Sequence, residues 1–232
     1  MKKKITIILL CCCISQAKAQ NATHKNTSLD SLYQNYMGTE APLFSGTIYV
    51  DYAHTISGNL PFWNGTRDFV KGNIFFNNIL YKDVPVAYDV YKDKLLIQHP
   101  VNYKIFEAQP AATHYFELSG KRFVALTASE NGMRPGFYEL TYSGEKSAVY
   151  TKHIKELAQD LSENTTKYHF QNSTLNYVYR EGGFFKVTNL KSLLQAYQGD
   201  GVKNFVKSNK LDTKKDLAEA LKAVAGYHDQ SQ

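Results

Sequence analysis

Residues 69–98 read FVKGNIFFNNILYKDVPVAYDVYKDKLLIQ, and the pattern of this stretch decides the fold. Val70, Gly72, Ile74 and Phe76 fall on alternate positions. Asn77-Asn78 interrupt them, and apolar residues return at Leu80-Tyr81, Val86-Ala87-Tyr88 and Leu95-Leu96-Ile97. A period of two belongs to a strand, whereas a helix repeats every 3.6 residues. A helix here would also carry Pro85 in its interior, at a cost of about 3 kcal/mol. Paired asparagines accept the left-handed backbone of a two-residue turn, so the stretch reads as antiparallel hairpins.

The same texture extends outward. Short aromatic and β-branched runs recur at Tyr103–Phe106, Tyr115–Leu118, Phe123–Leu126, Phe137–Tyr142, Ala148–His153, Tyr168–Phe170, Leu175–Tyr179 and Phe184–Val187. Small polar pairs divide many of them: Lys92-Asp93, Ser119-Gly120, Ser143-Gly144 and Glu181-Gly182. From about Leu43 to Val187 the chain is predicted to be a mainly β, antiparallel meander of hairpins, barrel-like or sandwich. After Thr188 proline disappears and the apolar period lengthens. Leu190, Leu193, Leu194 and Tyr197 predict one helix ended by Gly199, and Asp200 heads a second with Val202, Phe205 and Val206 inward. Thr213-Lys214-Lys215-Asp216 reads as a capping box before a third, striped by Leu217, Leu221, Val224 and Ala225. A short N-terminal helix capped by Ser28 should run through Tyr36 to Gly38, with Leu29, Leu32, Tyr33 and Tyr36 on one face.

The first nineteen residues, MKKKITIILLCCCISQAKA, carry a basic start, an apolar run from Ile5 to Ile14 and an Ala17-Lys18-Ala19 cleavage site. That is the layout of a secretory signal peptide. The expected mature protein is a single β-rich domain over residues 20–232, with helices from about 189, exported to the periplasm or associated with the outer membrane. Cys11, Cys12 and Cys13 are the only cysteines, so the mature chain has no thiol for a disulfide, a nucleophile or zinc. The leader also removes Lys2, Lys3, Lys4 and Lys18. Of 27 basic residues 23 then remain against 21 acids, and the net charge of +6 falls to +2. Such a balance gives no basic stripe for nucleic acid. The composition, 43% hydrophobic and 21% charged, excludes a disordered chain. Most runs are shorter than the ~9–11 residues of a transmembrane β-strand, and the chain closes on helices, which argues against an integral membrane protein.

Chemistry is sparse. The seven histidines, His24, His54, His99, His114, His153, His169 and His228, lack metal-ligand spacing, so no metal and no cofactor is expected. His153 and His169, in separate runs, read as ordinary strand residues. Ser143-Gly144-Glu145-Lys146 matches S-x-x-K, but without companion motifs and between strands it reads as a turn. Sequons begin at Asn21, Asn26, Asn64, Asn164 and Asn172 and mark surface loops. The suggestive feature is aromatic: 17 Tyr, 13 Phe and a single tryptophan, Trp63. Trp63, Tyr81, Tyr88 and Tyr91 are the candidate ligand-binding residues, because flat apolar rings stack on sugars or enclose lipid. The plainer reading gives these tyrosines to the core, since tyrosine favours strands.

GNIFFNNILYKDVPVAYDVYKDKLLIQ resembles a pattern of exported proteins of Bacteroidetes-type bacteria: Gly72, Tyr81, Tyr88-Asp89, then Asp93-Lys94-Leu95-Leu96-Ile97. FELSGKRFVAL and PGFYELTYSGEKSAVYTK are similar to that family's next two hairpins, and VKNFVKSNKLDTKKDLAEALKAVAGYHD to its helical tail. Tyr227-His228 replace an aromatic pair there. The resemblance implies export and a β-rich fold, and carries no activity with it.

Three functions follow as expectations. The first is a non-catalytic envelope protein that binds a partner protein or surface component. The second is a glycan- or lipid-binding module using an aromatic face. The third is a small hydrolase whose site is assembled from distant residues.

Overall fold

The computed structural model describes residues 28–52, 56, 58–126, 133–160, 167–198 and 200–231. The leader and its cleavage site, His24 and His54, the sequons at Asn21, Asn26 and Asn164, and the helix stop at Gly199 lie outside them. Ten strands form one antiparallel sheet: β1 (Val70–Phe76), β2 (Ile79–Asp89), β3 (Lys94–Gln98), β4 (Ile105–Glu107), β5 (Thr113–Leu118), β6 (Lys121–Leu126), β7 (Gly136–Ser143), β8 (Ser147–Asp160), β9 (Lys167–Arg180) and β10 (Gly183–Val187). Their order is β10-β9-β8-β7-β6-β5-β1-β2-β3-β4. β5 returns beside β1, so two meanders run outward from that central pair.

The hairpin turns are where the sequence puts them. Asn77 and Asn78 take φ of 48° and 63°, Ser119 and Gly120 take 52° and 75°, and Glu181 and Gly182 take 51° and 79°. Positive φ at both central residues matches the right-handed twist of the flanking strands. The mainly β class with C-terminal helices therefore holds, but the closure does not. The sheet is open rather than closed as a barrel, because β4 and β10 end it without pairing to each other.

The sheet nevertheless curls. The β2–β3 turn reaches β7 and β8, where the Lys152 ammonium meets the Asp93 carboxylate at 2.6 Å. Asp93 also accepts from the Tyr88 hydroxyl (2.6 Å), and Lys152 donates to the Phe137 carbonyl (3.1 Å). Gly136 is the gap that permits this junction, since a Cβ there would strike both the Asp93 carboxylate and the Lys152 ammonium.

Two large apolar clusters sit on the sheet, beside two smaller ones around Leu96 and Tyr138. Ile74, Phe76, Tyr81, Tyr88, Leu95, Ile97, Phe116 and Phe123 form the larger one. The helix α1 (Leu29–Met37) covers part of it. Ser28 caps α1 as expected, its hydroxyl accepting from the Ser31 N–H, and Gly38 ends it at φ 50°. The expected inward face is corrected: Tyr33 and Met37 pack on the core, while Leu29, Leu32 and Tyr36 stay exposed. The second cluster lies between β8–β10 and the helices α2 (Leu190–Tyr197), α3 (Asp200–Ser208) and α4 (Leu217–Gln230). Val149, Val178, Leu193, Leu221, Val224 and Ala225 are buried there. The α4 cap is Asp216, which accepts from the Glu219 N–H, rather than Thr213.

The described residues between 46 and 67 have little regular structure and lie across the opening of the curled sheet as a strap. Tyr49 N–H donates to the Ile105 carbonyl and Glu107 N–H to the Thr47 carbonyl, so the strap shields the β4 edge. Further on, Ile56 bridges Tyr168 of β9 and Phe62 bridges Asp89 of β2.

Candidate functional site

The strap and the outer part of β8 and β9 enclose a cleft of about 320 Å³. Asn59, Trp63 and Asn64 come from the strap, His153 and Lys155 from β8, and Asn172, Ser173 and Thr174 from β9. The register explains the grouping. His153 stands opposite Thr174 and Lys155 opposite Asn172, and residues two apart on a strand share a face. Gln171, Asn172, Ser173 and Thr174 interrupt the apolar pattern, which suggested two short runs there. Instead, β8 and β9 pair over their full 14 residues, because main-chain hydrogen bonds carry a ladder whatever its side chains face.

Lys155 holds the strap down. Its ammonium donates to Asn59 Oδ1 (3.2 Å), to the Leu60 carbonyl and to the Phe62 carbonyl (2.9 Å). An ammonium has three protons, so all are engaged within the protein. Burial draws the Lys155 ammonium below its ordinary range, against the pull of Asp89. Asn59 ties the strap to β9 as well, donating to Asn172 Oδ1 at 2.9 Å.

The inner wall is charged. Glu139 of β7 is nearly buried, at 5% exposure, and both its oxygens are occupied. His153 Nε2 lies 2.7 Å from Oε2 and Lys121 Nζ 2.6 Å from Oε1. Burial alone would raise this carboxyl; hydrogen bonds from His153 and Lys121, and their charges, outweigh it and hold the group below the usual carboxylate range. The Trp63 ring packs edge-on against His153 (4.4 Å between centroids) and Phe123 (5.0 Å). Trp63 is fixed through its main-chain N–H, which donates to the Tyr88 carbonyl at 2.8 Å.

The four aromatic candidates separate. Trp63 lines the cleft. Tyr81 and Tyr88, at 2% and 1% exposure, are core residues without a face for a ligand. A bulge at Asp83 (φ 56°) shifts the alternation along β2 by one residue, so both turn inward and the plainer reading of tyrosine applies to them. Tyr91 is exposed but sits in a different group, 6.0 Å from Tyr52 and 5.2 Å from Phe170. Beside that group the buried Asp89 carboxylate accepts from the hydroxyls of Tyr49 (2.8 Å) and Tyr52 (2.6 Å). The Lys92 ammonium lies over both rings, 4.5 and 4.3 Å from their centroids. Burial, with Asp89, pushes both phenols well up, so they remain neutral donors. This arrangement anchors the strap to β2.

No family model, no curated protein and no solved structure matches this chain. Its site is therefore read from geometry alone. Among the described residues no group of three or more His, Cys, Asp or Glu side chains is disposed to hold a metal ion. No described helix is long and apolar enough to cross a membrane. His169 faces Ala158, five positions along the ladder from His153, so the two strand histidines do not meet. Ser143 and Lys146 flank the β7–β8 turn, closed by Gly144 N–H donating to the Ser147 carbonyl.

Sequence reasoning missed Glu139, His153 and Lys155. A signal existed for the first: an acid within FYELTY, an otherwise aromatic and β-branched run. Such an acid needs a buried partner.

Proposed function

We propose that the protein is an exported, non-catalytic envelope component that binds a neutral, hydroxyl-rich surface glycan in the cleft behind the strap. The carrying observation is the lining: one indole beside the amides of Asn64 and Asn172 and the hydroxyl of Thr174. Amides and hydroxyls both donate and accept, as sugar hydroxyls do, and an aromatic ring supplies the apolar contact that orients them. The cation lining the cleft, Lys155, is committed to the strap, which favours a neutral ligand over an anionic one. Export rests on the tripartite leader and on the resemblance to exported β-rich proteins. The non-catalytic reading rests on the sequence, whose one S-x-x-K match lies at a turn between strands.

Calorimetric titration of neutral envelope oligosaccharides into the purified chain tests the proposal. Saturable binding is expected, weakened about tenfold by Trp63→Ala. Absence of binding across the panel, or undiminished binding by the variant, sinks it.

A partner-protein reading draws on a separate feature, the exposed stripe of Leu29, Leu32 and Tyr36 on α1. Crosslinking from a photoreactive group at residue 32 tests it; a partner lost with Leu32→Lys would support it.

A further inference from the structure

A neutral imidazole has one proton to place, and in His153 its position is dictated by Glu139. Nε2 is 2.7 Å from a carboxylate oxygen, and a carboxylate only accepts. The proton therefore resides on Nε2, and Nδ1 carries a bare lone pair. Among the described residues no polar group meets Nδ1. His153 lines the cleft, with Thr174 as its cross-strand neighbour and the Trp63 ring against one side.

The charges around this ring are few. β7 supplies Glu139 and β6 supplies Lys121, an ion pair at 2.6 Å. β8 supplies Lys155, fully engaged by the strap, with the Asp89 carboxylate acting on it from β2. The strap and β9 contribute only neutral groups to the cleft: Asn59, Trp63, Asn172, Ser173 and Thr174. Glu139 and Lys121 cancel, so one proton on His153 leaves this wall with a net positive charge. The same proton turns Nδ1 from an acceptor into a donor.

We infer that His153 Nδ1 sets the polarity of the cleft, selecting a neutral sugar hydroxyl while the ring is neutral and the carboxylate of an acidic sugar once it is protonated. The inference rests on the cleft being a glycan site, and adds to it a ligand class that changes with pH. A neutral Nδ1 accepts from a hydroxyl; a protonated Nδ1 repels that proton and makes a charge-assisted bond to a carboxylate.

The test uses Trp63 emission of the intact chain, since its only indole lies against His153. A neutral gluco-oligosaccharide and a uronate oligosaccharide of equal length are titrated at about pH 8 and about pH 5. The neutral probe should bind roughly tenfold more tightly at the higher pH, and the order should invert at the lower one. His153→Gln, whose amide can still donate to Glu139 and present an oxygen, should keep the preference for the neutral probe at both. Should that variant not fold, ring ¹⁵N shifts of the ligand-free wild-type chain decide: at about pH 8 they should report the Nε2–H form. Binding with one unchanging ratio at both pH values, or the Nδ1–H form, overturns this inference and leaves the cleft reading intact. No response to either probe overturns both.

Discussion

The ammonium of Lys155 stands 2.9 Å from the main-chain carbonyl of Phe62, a residue 93 positions earlier in the chain. This bond fastens the strap to β8 and so gives the cleft its roof. Lys155→Met keeps the length of the side chain but leaves the Leu60 and Phe62 carbonyls without their donor. It should cost about 2–3 kcal/mol, a fall of roughly 5–10 °C in melting temperature for a chain of this size. The emission of Trp63 should also shift to the red as the strap loosens. A variant with the wild-type midpoint and spectrum would show that the strap is held elsewhere.

Acid should weaken the fold through two carboxylates. Glu139 is held low by His153 and Lys121 against its burial, and Glu117 by the hydrogen bonds of Asn73 and Arg122. A carboxyl whose folded value lies below its unfolded one adds stability that is complete above the unfolded value, about 4.3 for glutamate. That stability is lost as pH falls through the folded value, because the unfolded chain takes up the proton first. Urea midpoints between about pH 6 and pH 3 should therefore decline on the acid side, less steeply in Glu139→Gln. Identical slopes for the variant and the wild-type chain would contradict this.

Gly136→Ala should open the junction between the β2–β3 turn and β7. The new Cβ would collide with both the Asp93 carboxylate and the Lys152 ammonium, and the backbone there has φ 139°. Separating a pair whose ammonium side chain is only 9% exposed should cost about 3 kcal/mol, measurable by chemical denaturation. A stability equal to wild type would place the pair outside that gap.

Leu221→Ala tests whether the terminal helices belong to the core. Leu221 is fully buried with Val149 and Val178 of the sheet, so truncation should destabilise the protein by about 2–5 kcal/mol in a single transition. A separate early transition of helical signal alone would mean that α4 unfolds independently.

Local information wrote most of the hairpins into the sequence. Asn77-Asn78 and Ser119-Gly120 are turns because those residues tolerate left-handed backbone, and this is a property of the residues themselves. Closure was not legible, because whether β4 meets β10 depends on curl and on what covers each edge. The face of α1 was misread for a related reason. Leu29, Leu32, Tyr33 and Tyr36 share a helical face, yet its rotation on the core is set by the partner surface, which takes Tyr33 and Met37. The candidate site was legible only at Trp63. Glu139, His153 and Asn172 converge through strand register and a strap from far upstream, and no local spacing encodes that meeting.

The strap has a consequence for the order of assembly. Residues 46–67 are synthesised before any of the strands that they dock against, and Asn59 finds Asn172 only after 113 further positions. Closing so long a loop early carries an entropic penalty with nothing to offset it, so the β8–β9 ladder must form before the strap can settle. The cleft is thus a late product of folding, and a chain ending before Thr174 would have its strap on β2 and β4 but the β9 wall of the cleft incomplete. Ligand binding in this architecture doubles as a certificate that the whole sheet has been completed.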